Sequence, residues 1–99
     1  MAFQAATITN IAPLAATATL LVAARSQGRG NFFVQNVGVQ DVYIGTTSGV
    51  TGTSPNRGIK LAGNLSPPSS YSNPKHCGEW WAYAVGGAGD LTVEETSAG

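Results

Sequence analysis

The run NFFVQNVGVQDVYIG, from Asn31 to Gly45, constrains the fold more than any other stretch of the chain. Phe32 and Val34 alternate with Phe33 and Gln35, and Val42 and Ile44 alternate with Tyr43. Successive side chains leave a β-strand on opposite faces, so period-two patterning with β-branched and aromatic residues marks half-buried strands. Asn36 to Gln40 between them supplies the Asn and Gly that a turn needs. The segment therefore reads as two strands folded back on each other.

The same logic extends along the chain. Ala5 to Ile11 alternates weakly and ends at Pro13, which suits an arm or an edge strand. Thr17 to Ala23 favours a strand because Thr and Val are stiff at χ1. Thr46 to Gly58 is a loop of Gly, Ser, Thr, Pro and Asn, long enough to be functional or mobile. Gly58 to Ala62 reads as a short strand with Ile59 and Leu61 inward. The prolines of Gly63 to Pro74 keep most of that stretch out of a central ladder. Trp80 to Val85 alternates Trp81, Tyr83 and Val85 against Trp80, Ala82 and Ala84. With the turn Gly86 to Gly89 and the strand Asp90 to Glu95, it reads as a second hairpin.

About six to eight short strands in a chain of this length predict an all-β fold, a small antiparallel β-sandwich or jelly-roll-like barrel. The expected division is residues 1–16 as an N-terminal arm or edge strand and residues 17–99 as the sandwich. Val34, Val42, Ile44, Leu61, Trp81, Tyr83 and Leu91 form the expected core.

Only 10% of the 99 residues are charged, five basic and five acidic, giving a net charge of zero. A surface so poor in charge is one that neighbouring subunits cover, and zero net charge favours association over repulsion. Arg25, Arg29, Arg57, Lys60 and Lys75 are too sparse for a nucleic-acid footprint. The apolar run Ala2 to Ala24 has no basic leader and is interrupted by Thr and Asn, so neither a signal peptide nor a membrane helix of roughly 18 apolar residues is expected.

Chemistry-bearing residues are few. The single cysteine, Cys77, excludes an internal disulfide framework and any CxxC metal spacing. His76 and Cys77 are adjacent and point apart on an extended segment, so they form no hydrogen-bonded nucleophile pair. With Glu79 they offer three metal ligands where a closed structural site takes four. Asp90 and Glu94 occupy the polar face of a strand, where edge protection is their ordinary role. The expectation is a protein that is not an enzyme, with no catalytic residues, metal or cofactor. Because Trp80 and Trp81 alternate, one of them faces away from the core, as a sugar-stacking platform or an interface anchor. Scarce surface charge favours the interface.

In their order, TATLLVAA, the basic turn RSQGRG, FFVQNVGVQDVYIG, the Gly/Thr loop ending in GIKLAG, and WWAYAVGGAGDLTVEE make the chain resemble small β-sandwich virion proteins of tailed bacteriophages, of the capsid decoration (cement) or head-fibre type. The likeness covers roughly Thr17 to Glu95, and the segment SPPSSYSNPKHCGE departs from it. The resemblance implies a structural virion protein, assembled in the host cytoplasm, that binds the major capsid protein or another virion protein, often as a homotrimer. It implies neither nucleic acid nor membrane as partner. The alternative is a receptor- or carbohydrate-binding module of a phage tail fibre or spike. The residues expected to meet a partner are Phe3, Ile8 and Ile11 of the arm, Arg25 and Arg29 of the basic turn, and Trp80.

Overall fold

A computed structural model of the chain describes residues 5–23, 29–73 and 78–97. Eight strands run in order: β1 (Ala5–Ile11), β2 (Ala18–Val22), β3 (Arg29–Asn36), β4 (Val42–Gly45), β5 (Ile59–Leu61), β6 (Ser69–Asn73), β7 (Trp80–Ala84) and β8 (Leu91–Ser97). They form two antiparallel four-stranded sheets, β1-β8-β3-β6 and β2-β7-β4-β5. This is a β-sandwich with the strand order of a jelly roll, in which consecutive strands mostly change sheets.

That crossing corrects both expected hairpins. β3 pairs with β8 and β6, whereas β4 pairs with β5 and β7. β7 and β8 are likewise in different sheets. The connections 37–41 and 85–90 are long enough to span the roughly 10 Å between packed sheets, and neither is a two-residue turn that would force adjacent pairing. Alternation fixes which face of a strand is inward without fixing its neighbour. β6, within a stretch expected to be mostly loop, is an edge strand that follows Pro67 and Pro68, where proline is tolerated. Ala5–Ile11 is the outer strand of its sheet and pairs with β8 along its whole length.

The core lies between the sheets. Phe32, Val34, Leu91 and Val93 from one sheet meet Val42, Ile44, Leu61, Ala82 and Ala84 from the other, with Trp80 and Leu21 completing it. The expected core is right for Val34, Val42, Ile44, Leu61 and Leu91 but inverted on β7. Trp80 is 2% exposed, Trp81 and Tyr83 are half-buried on the outer face, and Val85 is exposed. The cause is volume. Trp80 lies flat against Phe32, and only the small Ala82 and Ala84 fit beside it against Val42 and Ile44. A row of Trp, Tyr and Val would overfill the same gap. On β5, Leu61 is inward as expected, while Ile59 at the sheet edge is exposed.

Candidate docking surface at one end of the sandwich

The pairing register gathers four connections at one end of the molecule. Asn36 lies opposite both Leu91 and Ser69, and Ile11 opposite Leu91. In the other sheet, Val42 lies opposite Leu61 and Ala84. Residues 12–17, 37–41, 62–68 and 85–90 therefore meet there.

Backbone hydrogen bonds tie these four loops to one another and to the strand ends. The Val37 N–H donates to the Asp90 carbonyl (3.0 Å), Gly89 to Pro13 (2.8 Å), Asn64 to Gly38 (2.8 Å), Val85 to Asp41 (3.2 Å) and Ala16 to Ala84 (3.0 Å). Asn36, almost fully buried, is the hub. Its side-chain amide donates to the carbonyls of Gln40 (2.9 Å) and Leu61 (2.8 Å), and its side-chain oxygen accepts the Gly38 N–H (3.0 Å). Asn satisfies both kinds of group at once, which a hydrophobic residue or a carboxylate does not. The Asp41 carboxylate accepts the Gly63 N–H (2.9 Å) and pairs loosely with Lys60 (3.7 Å). A side chain on Gly63 has no room: a Cβ there would lie 2.5 Å from the Val39 and Gln40 carbonyl oxygens.

Upon this frame the loops display aliphatic side chains. Val39 is 70% exposed, Leu14 62% and Leu65 52%, with Val37 and Val85 also exposed. Five of the eight exposed large hydrophobic residues among the described residues thus belong to one end. A scattered exposed valine is ordinary, whereas five exposed aliphatics on loops at one end make that end the candidate interaction surface. Because the loops are already held in place, a partner docking there orders little backbone. No motif in the sequence singles out these residues; the available signal is large aliphatics lying in turn segments instead of strands.

The opposite end differs in composition and construction. The loop 46–58 closes on itself, with Val50 bonded to Thr47, Thr51 to Asn56 and Gly58 to Thr51. It then lies back along the outer face of the second sheet, where a Cβ on Gly52 would meet the Tyr43 ring and a Val85 methyl at 3.1 Å. Trp81, Tyr83 and Tyr43 line this face, with Tyr43 opposite Tyr83. The outward tryptophan is therefore Trp81. Its Nε1 is shielded from solvent and has no hydrogen-bond partner among the described residues.

Of the expected partner-binding residues, the four that are described, Ile8, Ile11, Arg29 and Trp80, do not come together. Ile8 is exposed on the outer face of β1 opposite Glu94, and Ile11 packs against the core. Arg29 opens β3 opposite Ser97, at the end away from the aliphatic loops. Trp80 belongs to the interior, a correction of its expected outward position. Phe3 and Arg25 lie outside the described residues, as do His76 and Cys77. Among the described residues, no three His, Cys, Asp or Glu side chains are grouped as metal ligands, and no helix is long and apolar enough to cross a membrane.

Comparison with known proteins bears on the fold. Neither a protein-family profile nor a curated protein sequence matches the chain. A solved structure from Bacillus endospore appendages, described as a novel family of disulfide-linked pili, superposes with a TM-score of 0.58 over 97% of this chain and 87% of that one, at 16% identity. At that identity the likeness is one of fold: a small β-sandwich. It carries no phage resemblance.

Proposed function

We propose that this chain is a structural virion protein, a decoration subunit that binds the major capsid protein of a tailed-phage head and stabilises it. The observation that carries this reading is the rigid aliphatic loop end, where Leu14, Val37, Val39, Leu65 and Val85 stand on hydrogen-bonded loops. A partner spanning two capsid subunits through such a surface opposes their separation, because binding to the assembled state alone shifts the equilibrium toward it. The low charge of the chain supports a role on a crowded protein surface, and the order of its sequence segments supports the phage head as that surface.

A pilus-type filament is the second reading, favoured by the fold likeness to the endospore appendage protein. Copy number in purified particles tests both. Hundreds of copies per particle, with heads that burst at lower temperature when the protein is missing, support decoration. A handful of copies supports a tail-tip module that binds a host receptor or carbohydrate. Filaments formed by the purified chain alone, with none of it on particles, support the pilus reading.

A further inference from the structure

Among the described residues, β1 and β6 are the outer strands of one sheet, and β2 and β5 those of the other. An exposed edge is a template for another strand, and proteins guard such edges by shortness, charge, proline or a bulge. Three of these four are guarded. β5 has only three residues and carries Lys60, β2 shifts register between Leu20 and Val22, and β6 is bracketed in sequence by Pro67, Pro68 and Pro74. β1 is the least guarded: Pro13 stands two residues beyond its end, but no device interrupts the strand itself. Its seven residues, AATITNI, contain neither charge nor proline and pair with β8 in unbroken register from Ala5 opposite Ser97 to Ile11 opposite Leu91.

We propose that β1 joins two copies of this chain, antiparallel and edge to edge about a twofold axis at Ile8, so that two four-stranded sheets become one continuous sheet. The sequence of β1 is suited to meet itself. With Ile8 opposite Ile8 of the second copy, Thr7 falls opposite Thr9, Ala6 opposite Asn10 and Ala5 opposite Ile11, with no like charges facing. Ile8 is 66% exposed and sits on the outer face beside Glu94, so the central pair covers apolar surface that the single chain leaves in water. A twofold contact of this kind is closed and ends at two copies. The pairing is twofold where the phage resemblance implies a trimer, and it leaves the aliphatic loop end free for a different partner. A single strand pair covers less than the roughly 1,600 Å² of a standard interface, so the dimer is a weak one that crowding on a surface reinforces.

The test is sedimentation of the full chain over a concentration series reaching several hundred micromolar, with disulfide trapping. The expected result is a monomer–dimer equilibrium that Ile8→Lys and Ile8→Glu each weaken by about tenfold or more. Their melting curves should match the parent, since the side chain is exposed. An equimolar mixture of the two variants should dimerise again. In a Cys77→Ser background, Ile8→Cys should oxidise to a covalent dimer and Asn10→Cys should not, because Asn10 faces Ala6 of the other copy. A monomer throughout with no trapping at position 8, a trimer, or a dimer indifferent to both charge variants would overturn the proposal.

Discussion

The indole of Trp80 lies parallel to the phenyl ring of Phe32, with centroids 4.8 Å apart and planes 7° off parallel. Phe32 belongs to one sheet and Trp80 to the other, so this stack spans the sandwich. Tyr71 tilts against the same indole at 5.5 Å. One large ring from each sheet, flanked by alanines, sets the local spacing between the layers.

Trp80→Ala should therefore destabilise the fold by about 3–5 kcal/mol, the range for deleting a large buried aromatic. Trp81→Ala, on the outer face, should cost markedly less. Urea denaturation of the two variants measures the difference, and equal costs would mean that β7 presents its other face to the core.

Asn36→Leu should cost about 1–3 kcal/mol for the buried Leu61 carbonyl left without its donor, with a smaller addition from the partly buried Gln40 carbonyl and Gly38 N–H. Asn36→Asp tests the same site through pH. Its carboxylate would face the Gln40 and Leu61 carbonyls, which raises its folded-state pKa above the unfolded value. The folded state then holds the proton more tightly, so stability should rise as pH falls through that raised pKa and be lowest at neutral pH. Melting temperature against pH, compared with the parent chain, checks the sign.

Gly63→Ala should cost about 1–3 kcal/mol, because the added methyl meets backbone that has no side chain to move aside. Gly49→Ala, where the nearest atom to the new methyl is 3.7 Å away, should leave stability nearly unchanged. Thermal melts of the pair measure how firmly the loops 37–41 and 62–68 hold each other.

The double variant Val39→Asp with Leu65→Asp should fold with stability within about 1 kcal/mol of the parent, as exposed positions generally do. Its retention on particles should fall steeply. Co-sedimentation with stripped particles reads this directly.

Alternation made the strands legible: β1, β3, β4 and β8 stand close to where Ala5–Ile11, Phe32–Gln35, Val42–Ile44 and Asp90–Glu95 place them. It did not reveal partners, because pairing in a jelly roll depends on how connections cross between sheets. It also turned the wrong face of WWAYAV inward, because both faces are apolar and alternation alone does not choose between them. Only the room left beside Phe32 distinguishes Trp80 from Trp81. The loop end was hidden for a related reason. Leu14, Val37, Val39, Leu65 and Val85 are separated in sequence, and hydrogen bonds between four loops bring them together.

Cryo-electron microscopy of tailed-phage heads incubated with the purified chain tests the proposed decoration role most directly. The expected map places the sandwich upright on the shell with residues 12–17, 37–41, 62–68 and 85–90 against the major capsid protein. A map in which this aliphatic end points to solvent, with the end that carries the loop 46–58 against the shell, would contradict it.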